Sequence, residues 1–139
     1  MIDITGKLLI ELRDDTEVDA LVDGRVRGFE PAPGDAKPKG SYQAFVVIVA
    51  LDTVRMTRAP VQRATYAIRC YSATPQGAMA LYGACSDTLH NIGPRLHTDT
   101  GIYISFDTTG GTAERDPDTL QPYVTFIAEL IAPTQVVLQ

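Results

Sequence analysis

The chain has 139 residues, 45% of them hydrophobic, with a net charge of −5, two cysteines and no tryptophan. That length suits one domain over residues 1–139, able to bury roughly two-thirds of its unfolded surface without covalent staples. The acidic total argues against a general nucleic-acid binder, and the lack of any apolar run of roughly 18 residues argues against a membrane-spanning helix.

The first residues, Met1-Ile2-Asp3-Ile4, are too polar to read as a signal peptide. Residues 5–13 read as an amphipathic helix, with Ile4, Leu8 and Leu12 at four-residue intervals and Leu9 beside them. After Asp14-Asp15, Thr16 is the expected cap of a short second helix that carries Val18, Leu21 and Val22, with Gly24 closing it. Residues 25–29 are a short strand ended by Pro31, and residues 31–41 hold three prolines, two glycines, Lys37 and Lys39, a surface loop. Residues 43–51 form the most apolar, β-branched run, expected as a central strand covered on both faces. Residues 52–60, with Arg55, Met56 and Arg58, read as a long connection of the kind that often carries function.

Residues 63–92 organise the rest. In the strand 63–72, Ala64, Tyr66, Ile68 and Cys70 point one way, with Arg63, Thr65, Arg69 and Tyr71 on the other, wet face. Thr74 is a good N-cap, and Pro75 suits the first helical position, where its missing N–H costs nothing. Ala78, Tyr82, Cys85, Leu89 and Ile92 then make one helical stripe, ended by Gly93-Pro94. Gly77, Ala80 and Ala84 form a neighbouring stripe of small residues open to close approach, by the chain's own sheet or by a second subunit. Residues 100–108 are a further strand, 109–121 a polar excursion, and 123–132 a last strand ended by Pro133. The expected fold is α+β, a mostly antiparallel five-stranded sheet with helices packed on one face.

Charge is segregated along the chain. Residues 25–69 carry eight bases against three acids, while residues 1–24 and 70–139 each carry two bases against seven acids. Opposite signs on different surfaces suit head-to-tail assembly, although charge also simply solvates a soluble domain. Both cysteines lie on predicted apolar faces without a CxxC spacing, so they read as core residues and point to a reducing compartment at synthesis. His90 and His97 lack partners at ligand spacing, and Cys85 and His90 face different sides of one helix, so neither a metal site nor a thiol–imidazole pair is expected. Asp107, Glu114, Asp116 and Asp118 could gather around calcium, but their spacing is not that of an EF-hand, and a solvated acidic loop is the plainer reading. Tyr71 and Tyr103, taken as exposed beside Arg63 and Arg69, suit a protein interface better than base stacking. Thr109-Gly110-Gly111-Thr112 reads as a hairpin turn rather than an anion nest. Neither an active site nor a cofactor is indicated.

The order of Leu8-Leu9-Ile10-Glu11-Leu12, Val18-Asp19-Ala20-Leu21-Val22-Asp23-Gly24-Arg25-Val26, a Pro/Gly loop, a β-branched strand, Thr65-Tyr66-Ala67-Ile68-Arg69-Cys70-Tyr71-Ser72 leading into a helix with Ala78 and Leu81, and Tyr123-Val124-Thr125-Phe126 resembles the tail terminator, or tail completion, proteins of long-tailed bacteriophages. The resemblance covers most of the chain and rests on fold-level patterns. It implies a non-enzymatic virion protein, made in the host cytoplasm, that forms a homo-hexameric ring at the head-proximal end of the tail. Such a ring docks on the tail tube protein, stops polymerisation and meets the head–tail connector or stopper, while genomic DNA passes through without specific binding. Candidate partner-interface residues are Arg55, Arg58, Lys37, Lys39, Glu114, Arg115, Asp116 and Asp118. The rivals are a neighbouring stopper or connector protein, a minor tail subunit, and a small ligand-binding α+β domain or enzyme.

Overall fold

A computed structural model of the chain describes residues 4–55, 61–90, 104–107 and 111–133. Helices α1 (Ile4–Asp14) and α2 (Thr16–Val22) lead into strand β1 (Val26–Gly28). Strands β2 (Phe45–Arg55) and β3 (Val61–Tyr71) follow, then helix α3 (Pro75–His90) and strands β4 (Ile104–Asp107), β5 (Thr112–Arg115) and β6 (Pro122–Pro133). The main path through the sheet is the expected five strands, in the order β1-β2-β3-β6-β4. Only β1 and β2 pair in parallel; the other pairings are antiparallel. The additional short strand, β5, pairs with β6 on the side that β4 also uses.

The core lies between the sheet and the helices. Leu8 and Leu12 of α1, Val18 and Val22 of α2 and Leu81, Cys85 and Leu89 of α3 pack with Val46, Ile48, Tyr66, Ile68, Cys70, Phe126 and Leu130. These are the residues that four- and two-residue spacing places on one face. Tyr82 meets Phe126 edge to face at 5.1 Å between ring centroids. Thr74 caps α3 as expected, accepting the Gly77 N–H at 3.0 Å, and Pro75 opens the helix.

Several expectations change in detail. Asp15 rather than Thr16 caps α2, accepting the N–H groups of Glu17 and Val18 at 3.0 Å each. Asp23 closes that helix in the left-handed region at φ 51°. Leu21 points outward and is 44% exposed, because Val18 and Val22, one turn apart, already fill the buried stripe. Only Phe45 to Ile48 of β2 are buried; the strand continues to Arg55 with Ala50 to Val54 exposed. The register with β3 slips between Ala50 and Asp52, which makes Leu51 a bulge residue, 54% exposed. The long connection inferred over residues 52–60 is therefore partly strand, and residues 56–60 lie outside the described residues. Of the small residues on α3, a Cβ on Gly77 would fall 2.3 Å from Ser72 Oγ, whereas Ala80 is exposed and a Cβ on Gly83 would meet nothing. Close approach is thus made by the chain itself, at Gly77 in the first turn and at Ala84, which is buried in the core. Leu81, outside the stripe read from the sequence, is fully buried.

Candidate functional site

The helix-free face of the sheet is less wet than alternation implies. At the end of the sheet where β3 stops and β6 begins, Phe45, Tyr71 and Tyr123 occupy one cross-strand row. Phe45 and Tyr71 stack at 4.4 Å with planes 10° apart, and Tyr71 meets Tyr123 at 4.9 Å. Arg69 places its guanidinium carbon 5.9 Å from the Tyr123 ring centre. Tyr71 is buried rather than exposed as expected, because a row of three large rings shields its own members. Burial raises its hydroxyl pKa, opposed by Arg69. Tyr103 lies outside the described residues.

Two loops close over this end of the sheet. In the first, Asp35 is buried and pairs with Arg27 Nε at 3.1 Å while accepting the Ala32 N–H at 2.8 Å. Lys37 and Lys39 lie on the exposed outside of the same loop. The second loop is the β5–β6 turn. Asp116 Oδ1 accepts the N–H groups of Asp118 and Thr119 at 2.8 and 3.1 Å, which spends that oxygen on the turn. Gln121 is buried and joins three segments: its side-chain amide donates to the carbonyls of Gln43 at 2.8 Å and Ser72 at 3.3 Å. The Tyr42 hydroxyl donates to the Thr119 carbonyl.

Of the polar excursion expected over residues 109–121, residues 111–121 form a β-hairpin arm with β6, and residues 109 and 110, the start of the expected hairpin turn, lie outside the described residues. Its strand β5 is exposed throughout, and Thr112-Ala113-Glu114-Arg115 has no apolar alternation from which a strand could be read. Glu114 accepts the Tyr123 hydroxyl at 2.6 Å and, with help from burial, pushes that pKa up to about 12. Arg115 donates to the Leu120 carbonyl at 3.2 Å. Gly111, at φ 78°, lets the chain enter β5 where a Cβ would come within 3.0 Å of the Tyr82 ring.

The eight candidate interface residues fall into separate places. Glu114, Arg115, Asp116 and Asp118 share the β5–β6 arm, and Lys37 and Lys39 lie in the loop whose far end docks on that arm. Arg55 ends β2 beside the start of β3, at the opposite end of the sheet. Strands of this length separate the two ends by roughly 30 Å. Arg58 and His97 lie outside the described residues, as does the side chain of His90. Among the described residues no three His, Cys, Asp or Glu side chains converge as a metal site. Cys70 and Cys85 are both buried and free; burial, and then the neighbouring Cys85, push the Cys70 thiol well above its ordinary pKa. The residues that sequence reasoning missed are Gln121, Phe29 and the groove beside β5. Leu120 and Phe29 are exposed apolar residues with positive φ, a backbone state that no side-chain pattern announces.

Comparison with known proteins bears on this layout. A chain in the structure "Virion of native gene transfer agent (GTA) particle" superposes with a TM-score of 0.70 at 16% identity, over 96% of this chain and 99% of that one. At that identity the likeness establishes the fold alone. No curated protein matches the sequence significantly. The family model described as tail completion protein gp17 matches residues 6–129, a span that takes in every described helix and strand apart from the start of α1 and the end of β6. By that match the chain belongs to the tail completion protein gp17 family.

Proposed function

We propose that this protein, a structural component of the phage tail by its family, acts as a ring of six copies at the head-proximal end. There it ends tube polymerisation and joins the tail to the neck. The observation that carries the reading is the family match over residues 6–129. The likeness to a virion chain across almost the full length of both proteins supports placement in the virion. No catalytic step enters the reading, and the buried, pKa-raised Cys70 thiol is ill suited to nucleophilic work.

The ring geometry draws on the two unlike edges of the sheet. A cyclic ring is built from heterologous contacts, in which a surface on one subunit meets a different surface on the next. Here β1 forms one edge, and β4 and β5 line the other. The excess of acidic residues suits a lumen through which DNA must slide, because it repels phosphate. The end of the sheet at which β2 stops at Arg55 and the end formed by the β5–β6 turn are suited to axial contacts with tube and connector.

Purified protein added to polymerising tail tubes tests this directly. Tubes capped at one end and no longer elongating are the expected result; tubes that grow unchanged while the protein binds isolated connectors would move the assignment to a stopper. Reversing charge at Arg55 and Arg58 should leave the circular dichroism spectrum intact and weaken tube binding, and unchanged binding would remove those residues from the interface.

A further inference from the structure

We infer that Phe29 of one copy seats in the groove beside β5 of the next copy, so that the β1 edge and the β5–β6 edge form the subunit contact of the ring. This deepens the ring reading and rests on it. Phe29 is the most exposed of the large apolar side chains in the described structure, at 76%. It is also held in a backbone state that disfavours it. Its φ is 76°, a true outlier for a bulky residue, fixed by its N–H on the Ile48 carbonyl at 2.6 Å and by the Glu30 N–H on the Gly28 carbonyl at 2.9 Å. An exposed aromatic ring on a strained, hydrogen-bonded turn has no role in the core of its own subunit. It has the character of an interface anchor.

The complementary surface lies on the other edge. A groove of about 210 Å³ beside β5 is lined by Pro75 and Ala78 of α3, by Pro122, Tyr123 and Val124 of β6, and by Ala113, Glu114 and Arg115 of β5. A cavity of roughly 150 Å³ lined by apolar groups already admits benzene, so a phenyl ring fits in size and polarity. Charge agrees with this pairing. Around β1, with Arg27 paired to Asp35 and Arg25 to Asp23, Lys37 and Lys39 stand against Glu30. On the opposite edge Glu114, Asp116 and Asp118 stand against Arg115. A basic edge with an apolar knob and an acidic edge with an apolar groove are complementary between copies, and repeating that one contact around an axis closes a ring.

The test uses the full chain, its Phe29→Asn variant, and a Phe29→Cys/Ala113→Cys pair, with native mass spectrometry over a concentration series. Asparagine tolerates positive φ, so Phe29→Asn should unfold at the same or a higher denaturant midpoint while its assembly midpoint rises about thirtyfold or more, as expected for loss of an anchor. Oxidation of the double-cysteine protein should yield a covalent ladder that ends at the ring, whereas Phe29→Cys alone should give none, because Cys70 and Cys85 are buried. A wild-type ring with unchanged assembly of Phe29→Asn and no ladder would overturn the contact and leave the ring reading intact. A wild type that stays monomeric throughout, alone and on capped tail tubes, would overturn both.

Discussion

Replacing Gln121 with leucine removes a side chain that ties the residues before β2, the end of β3 and the β5–β6 turn together. The leucine keeps most of the volume but has no donor, so the Gln43 and Ser72 carbonyls each lose a hydrogen bond, of 2.8 and 3.3 Å. Because the amide is 1% exposed, water does not easily take its place. An unpaired buried acceptor costs about 1–3 kcal/mol; since the second bond is long, the expected total is about 2–4 kcal/mol. For a chain of this size that corresponds to a fall in melting temperature of roughly 6–16 °C. Urea unfolding followed by far-ultraviolet circular dichroism measures the change, with an unaltered m-value expected. The Gln121→Glu variant adds a pH signature. Its carboxyl can donate only when protonated, so the folded state raises its pKa above the unfolded value of about 4.3. The stability of this variant should therefore be closest to wild type in acid and fall as pH rises through the folded-state pKa. A Gln121→Leu midpoint within about 0.5 kcal/mol of wild type would refute the assignment of this amide as a structural tie.

Other consequences follow from single contacts. Tyr123 has a folded-state pKa of about 12 against an ordinary value of 10, so the stability it contributes is full below pH 10 and is lost as pH rises towards 12. Tyr123→Phe should remove a late-titrating tyrosine from an ultraviolet titration and flatten the loss of stability at high pH; an unchanged late titration would assign it to another tyrosine. Gly111→Ala should cost about 2–4 kcal/mol, combining positive φ with a Cβ 3.0 Å from Tyr82 and 3.1 Å from Val124, and chemical denaturation reads it. Asp15→Ala removes the α2 cap and should cost about 1 kcal/mol in the same assay, whereas Thr16→Ala should cost less. Cys70→Ser and Cys85→Ser should lower stability without affecting tube capping; loss of capping in a folded variant would give a thiol a functional part.

The sequence by itself determined the layers. The four-residue spacing of Leu8 and Leu12, the alternation of Ala64, Tyr66, Ile68 and Cys70, and the pairing of Thr74 with Pro75 are local consequences of helix and strand geometry, and each is found in the structure. These patterns also carried the family resemblance, because a tail completion fold is written in its core. Tertiary structure decided what has no local signature. Strand β5 is exposed throughout and is fixed only by pairing with β6, so its residues read as a polar loop. Tyr71 is hidden by rings supplied from β2 and β6, and Gln121 is a tie because three distant segments meet around its amide. The separation of Arg55 from the Glu114–Asp118 arm follows from strand length and antiparallel register, and the placement of Phe29 and the β5 groove on opposite edges follows from strand order; pairing across the whole sheet sets both, and no stretch of sequence states them.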